Sequence, residues 1–296
     1  MIRLIETPWI DLEALSWDHT LWMMVVGPTE QHGPHLPLGT DFMVAQEMAR
    51  RMTRTIEESY GWTVVEVPPI HYVPAVLSRD YRGSVSIRKE RYRAFLEDVV
   101  ESYARNGMTN GVVISTHIDP PFVQTTQNVL AAINDRYGTR YIHGYERFPM
   151  EDVLSGEAPE IFGYHVKGDV HAGILETSSM TIARPELVHW DRALSLEDQP
   201  IEFDALAQSR SFRNVGNGQG YTGYPRLAHA DYGEVWYHRY GQKFAAVLQQ
   251  YCRGEDVFDA LTIAHLMSPR EEPNDAQIKE AEQSRFIFKG DRRHPS

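Results

Sequence analysis

The chain has 296 residues, 42% of them hydrophobic and 24% charged, which suffices for a sizeable buried core and excludes large-scale disorder. A formal charge of -12 repels a phosphate backbone, so neither nucleic acid nor an anionic membrane is expected as a partner. A single cysteine, Cys252, rules out an internal disulfide and any cysteine-built metal site, leaving histidines and carboxylates as the practical ligands.

The N-terminal stretch MIRLIETPWIDLEALSWD has no uninterrupted apolar run flanked by basic residues. No window approaches the roughly 20 apolar residues of a spanning helix, so a cytoplasmic protein is expected. Leu21 to Val26 is a short apolar run of the kind buried on both faces of a parallel sheet. Soon after it comes EQHGPHLPLGTD, Glu30 to Asp41, with one Glu, two His and one Asp set among glycines and prolines. In extended backbone successive side chains alternate faces, so Glu30 and His32 point the same way. Gly33, Pro34, Pro37 and Gly39 forbid a regular element and fold the chain back, returning Asp41 to the same point. His35 is read as a loop or substrate-contact residue. Asp41 also opens a helix predicted to run to Ser59 and to end at Gly61.

A second strand, WTVVEVPP from Trp62, is expected to stop at its two prolines. The helix predicted from Arg88 to Asn106 places Phe95, Val99, Val100 and Tyr103 on one stripe. GVVIST, residues 111 to 116, is the third strand, and residues 122 to 137 form the next helix, stopped by Gly138. This alternation argues for a parallel sheet with helices on both faces, which binds ligands at its carboxyl edge. His117 and Asp119 follow the third strand at the same spacing of two seen for Glu30 and His32. GDVHAGILETSSM gathers Asp169, His171 and Glu176, with glycines that let the backbone approach a ligand closely. A step of five takes His171 off the face of Glu176, so His171 lies in the entering loop if Glu176 begins a helix. One domain over 1–253 is expected, with 254–296 a helical extension and polar tail.

Imidazole and carboxylate together suit zinc, manganese or iron rather than calcium or magnesium. Two histidines with three or four carboxylates exceed the needs of one tetrahedral zinc and imply a pair of ions. A bridging carboxylate would hold the pair, with a hydroxide between them as nucleophile and a nearby His or Glu passing a proton to the leaving nitrogen.

GPTEQHGPHLPLGTD, the histidine closing GVVISTH, HAGILETSSM, and GYTGYPRLAHADYGE at 220 to 234 resemble the creatininase family, the creatinine amidohydrolases, over roughly residues 20 to 250. The resemblance implies an α/β protein, a three-layer α/β/α fold with a mainly parallel central sheet, often assembled as a homohexamer. It implies Glu30 and His117 on one ion, His32 on the other, Asp41 bridging, Glu176 as fifth ligand and His171 as the acid/base residue. Where most relatives carry NGHGGN, this chain has STHIDPP. The histidine survives while the asparagine and both glycines do not, and Ile118, Pro120 and Pro121 reshape the space they leave. Asp119 occupies the offset at which creatininase has a metal-binding glutamate, so it competes with Glu176 for the second ion and is carried as a catalytic candidate. The implied activity is hydrolysis of a C–N amide bond in a small, cyclic substrate with two divalent ions per chain, zinc first, manganese or iron also accepted. Alternatives are C–C ring opening of an inositol-derived cyclic diketone and a non-catalytic binding protein of the same fold. Arg79, Arg82 and Arg88 are read as anion-binding candidates or solvated loop charge, and Tyr81, Tyr224 and Trp236 as pocket wall or core.

Overall fold

Every residue of the first long strand, Thr20–Val26, is buried, as its apolar run requires. In the computed structural model, which describes residues 1–144, 166–255 and 257, it sits at the centre of one five-stranded sheet. The strands are β1 (Ile2–Arg3), β2 (Thr20–Val26), β3 (Thr63–Ile70), β4 (Asn110–Ile114) and β5 (Arg140–His143). Their order is β1-β3-β2-β4-β5, and every pairing is parallel. The helices are α1 (Trp9–Glu13), α2 (Thr40–Tyr60), α3 (Lys89–Arg105), α4 (Pro120–Tyr137), α5 (Ile174–Ala183), α6 (Trp190–Ser195), α7 (Phe203–Gln208) and α8 (Ala230–Cys252). All but the first residues of the expected C-terminal extension, and its tail, lie outside the described residues.

From β2 the chain crosses through α2 to β3 on one side, and from β3 through α3 to β4 on the other. Right-handed crossovers in opposite directions place α2 and α3 on opposite faces. α4 packs on α3, whereas α5 and α8 pack with α2, completing three layers around the sheet. In the centre, β4 approaches β2 so closely that a Cβ at Gly111 would overlap the indole of the fully buried Trp22. None of the described helices is long and apolar enough to cross a membrane.

Four details differ from the sequence reading. β3 does not stop at its prolines but runs through Pro68 and Pro69 to Ile70. β1 reaches only Glu66, so both prolines are exposed on an open edge, and the β2 ladder shifts register between Met24 and Val26. On α3 the buried stripe is Tyr92, Leu96 and Val100, while Phe95 is 48% exposed. α4 begins at Pro120, because prolines in the first helical turn have no N–H to lose there. The short strands β1 and β5 were not foreseen.

Candidate metal centre

β2 and β4 are neighbours, yet the chain leaves their carboxyl ends in opposite directions, which opens a crevice between the two exits. Glu30 and His32 follow β2, and His117 follows β4. The intervening loop closes on itself through the Glu30 N–H to Leu38 carbonyl bond at 2.9 Å and a bridge between His32 and Leu36. That return sets Asp41 in the first turn of α2, back at the crevice.

Glu30, His32, Asp41 and His117 are all buried. His117 Nδ1 lies 3.1 Å from Glu30 Oε1 and 3.8 Å from Asp41 Oδ2. His32 Nε2 lies 3.4 Å from the same Asp41 oxygen and 3.7 Å from Glu176 Oε2. Three groups result whose donor atoms lie within 4.8 Å of one another: Glu30, Asp41 and His117; His32, Asp41 and Glu176; Glu30, His32 and His171. Asp41 belongs to two of them, with one oxygen between the two imidazoles.

Each imidazole is oriented from behind by a backbone carbonyl. His117 Nε2 donates to Pro74 O at 2.8 Å and His32 Nδ1 to Glu30 O at 3.1 Å, so the opposite nitrogens face the carboxylates. His32 Nε2 and Asp41 Oδ2 are fully buried without a hydrogen-bond partner. Burial opposes a charge on His32, yet Glu176 and Asp41 outweigh it and push the imidazole up to about 10. His117 is likewise pushed up to about 10, with Glu30 overcoming burial. Burial pushes Asp41 up to about 8, and Glu30 is held below the carboxylate range because His117 prevails over its burial. Carboxylates gathered around imidazole nitrogens in a dry site call for positive charge between them, and divalent cations fit these nitrogen and oxygen donors.

α5 supplies the other side. It begins at Ile174, so Glu176 lies in its first turn and His171 in the loop before it. Ala172 has φ 50, the sole positive φ outside glycine among the described residues, and its N–H donates to Glu176 Oε2. His171 Nε2 donates to the Gln31 carbonyl at 2.8 Å, and its ring stacks on Phe212 at 4.3 Å between centroids. Burial, then His32, hold the His171 imidazole below its ordinary value. Asp169 is not aimed at a ligand: its Oδ1 accepts the N–H groups of Ile174 and Tyr224, and its Oδ2 that of Leu175. The glycines of this segment therefore admit the Asp169 carboxylate rather than a ligand, since a Cβ at Gly173 or Gly223 would overlap it.

Asp119 stands outside the three donor groups. As the residue before α4 it turns its Oδ2 to the Val76 N–H at 2.6 Å, tying down the loop after β3. His35 is fully buried, its Nε2 2.8 Å from Thr177 Oγ1, so it packs the loop against α5 and is not a substrate contact. Burial, then His32, push His35 down to about 4. The unfolded chain therefore binds a proton at higher pH than the folded one, and stability should fall as pH drops from about 6.5 to about 4. Thermal unfolding across that window should show a shallower loss for His35→Gln than for the parent.

A cavity of about 110 Å³ lies over the cluster, lined by Glu30, Asp41, His117, His171 and Glu176 and by apolar groups that include Val44, Ile118 and Trp236. Arg79, Arg82 and Arg88 are exposed and do not line it, and neither do Tyr81 and Tyr224. Two contributors escaped the sequence reading. Gln31 meets His171 through its backbone carbonyl, which no side-chain spacing announces; Lys167 lines the cavity and carried no signal of its own.

The chain matches the family model described as creatininase, creatinine amidohydrolase, over residues 6–248. It is 34% identical over 184 residues to the mycofactocin precursor peptide peptidase of Mycobacterium ulcerans, covering 60% of this chain and 64% of that protein. The match thus spans less than two thirds of that relative's length. The creatinine amidohydrolase of Pseudomonas putida is 24% identical over 200 residues, 64% of this chain and 74% of that one. A solved structure described as Mn creatininase shares the fold, with a TM-score of 0.64 at 17% identity over 84% of this chain and 98% of that one. A creatininase mutant of Zn-Zn type gives a TM-score of 0.61 at 18% identity over 84% and 97%. The family match encloses every donor residue of the crevice, and the chain belongs to the creatininase family.

Proposed function

We propose that this chain is a metal-dependent amidohydrolase that cleaves a C–N bond in a small substrate, and that residues 1–253 form its catalytic domain. The observation that carries the reading is the single Asp41 oxygen set between His32 and His117, buried and without a hydrogen-bond partner. Glu30 and His117 would hold one divalent ion, His32 and Glu176 a second, and Asp41 both; zinc is the first candidate and manganese the next. When bound, such ions supply the charge that acidifies water and polarises a carbonyl.

The remaining work falls to the chain itself. The Pro74 and Glu30 carbonyls fix the two imidazole orientations, so the donors are set before substrate arrives. His171 spends its Nε2 proton on Gln31, which leaves Nδ1 to take a proton from the attacking water and return it to the leaving nitrogen. Its lowered pKa keeps that nitrogen unprotonated at neutral pH, and stacking on Phe212 holds the ring. Val44, Ile118 and Leu175 shield the centre from bulk water. The small cavity favours a compact substrate, cyclic amides among them.

Metal analysis of the purified chain should return about two ions per molecule. A panel of lactams and short linear amides should yield amine release that chelation stops. His171→Ala should keep the ions yet lower kcat by roughly 10² to 10⁴. Full metal occupancy with no amide turned over would overturn the assignment.

A further inference from the structure

We infer that Lys167 is a specificity residue that binds a substrate carboxylate near the scissile amide; the inference deepens the amidohydrolase reading and rests on it. Lys167 is the one lysine or arginine among the described residues that line the cavity. Its side chain is 65% exposed, and Nζ lies 3.4 Å from Oε1 of Glu202, itself 75% exposed and also lining the cavity. An ion pair so open to water is weak, so the ammonium exchanges partners readily. The backbone beneath it is held. The Lys167 carbonyl accepts the Tyr224 hydroxyl at 2.9 Å, and the Gly168 carbonyl accepts the Ile201 N–H at 3.2 Å, lacing together the two segments that carry the pair. A fixed stem with a free cationic head at a cavity mouth is built to meet an anion.

The charges deeper in decide the sign. Glu30, Asp41 and Glu176 carry three negative charges that two divalent ions would offset. In the loaded site those donors no longer draw an ammonium group inward, and the ions themselves would attract an anion, although Glu202 alone would attract a cation. A carboxylate is favoured by the site and by Lys167 together. Lys167 lines the same cavity as the donors, so carboxylate and amide belong to one molecule.

The test uses the zinc-loaded full-length protein and two probes, acetohydroxamate and succinyl monohydroxamate, which share a metal-binding head and differ by a carboxylate tail. Calorimetric titration should show the tailed probe binding roughly five-fold more tightly, with the advantage shrinking as salt rises. Lys167→Met should bring the ratio of affinities to one or below, Lys167→Arg should preserve it, and Glu202→Gln should raise it. Equal affinities in the parent protein, or an advantage that survives Lys167→Met, would overturn the role of Lys167 alone. If acetohydroxamate does not bind the zinc-loaded protein at all, the amidohydrolase reading fails first and this inference with it.

Discussion

Asp41→Asn should drop metal content from about two ions per chain to one or fewer and cut amide turnover by at least about 10²-fold, without unfolding the chain. The residue belongs to two of the three donor groups, with Oδ2 at 3.4 Å from His32 Nε2 and 3.8 Å from His117 Nδ1. Its one oxygen lies within 4 Å of both imidazoles, whereas Glu30 lies 3.1 Å from His117 and Glu176 3.7 Å from His32. Asparagine keeps the shape but loses the charge that a bridging position needs. The stability of the ion-free protein gives an independent check. Burial raises Asp41 from 3.8 to about 8, so the folded ion-free chain holds a proton that the unfolded chain releases. Between about pH 4 and pH 8 the folded state therefore binds more protons, and stability declines as pH rises. Asp41→Asn removes that proton, so chelator-treated variant and parent should differ most near pH 8, with the variant the more stable. Saturating zinc should then stabilise the parent by about 4 kcal/mol at a thousand-fold excess over Kd and the variant far less. A variant that keeps both ions and its turnover would show that Asp41 does not link the two positions.

The crevice was legible in the sequence wherever local geometry alone sets direction. Glu30 and His32 share a site although β2 ends at Val26, because the Glu30 N–H to Leu38 bond and the His32–Leu36 bridge pin the loop, and the proline-rich loop returns Asp41 within twelve residues. The same spacing of two did not bring Asp119 into a donor group, because Asp119 already stands at the entry to a helix. The Pro120–Pro121 pair starts a helix there, which turns the Asp119 carboxylate toward the loop after β3. His35 is the loop residue that one of its two readings made it, but its partner Thr177 lies 142 residues away, and no local pattern announces such a contact. The glycines around His171 revealed that something approaches the backbone closely, but their spacing cannot say that the intruder is Asp169. β1 and β5, of two and four residues, are too short to show a period.

That intruding carboxylate makes Gly223→Ala a damaging substitution although it lies away from the donors. Gly223 has φ +89, where L side chains are strained, and a Cβ would overlap Asp169 Oδ1 and lie 2.7 Å from Asp169 Cα. Backbone strain and overpacking together should cost about 4 kcal/mol, lowering Tm by about 10 °C. The loss should also reach the metal centre. Displacing Asp169 strips acceptors from the N–H groups of Ile174, Leu175 and Tyr224, so the start of α5 moves, and with it Glu176 and the loop bearing His171. Zinc affinity should therefore fall although no donor has been touched. Asp169→Asn probes the same point more gently. Its remaining oxygen still serves Ile174 and Tyr224, but the amide NH2 faces the Leu175 N–H, donor against donor, at a cost of about 2 kcal/mol. Pairing Gly223→Ala with Asp169→Ala separates clash from strain. With the carboxylate gone the new methyl loses its closest contact, although Asp169 Cα at 2.7 Å remains, so the double variant should lose less stability in urea than the two single losses combined. Strict additivity would mean that Gly223 matters only for its own backbone, and that Asp169 is not wedged between the two glycines to hold α5 in place.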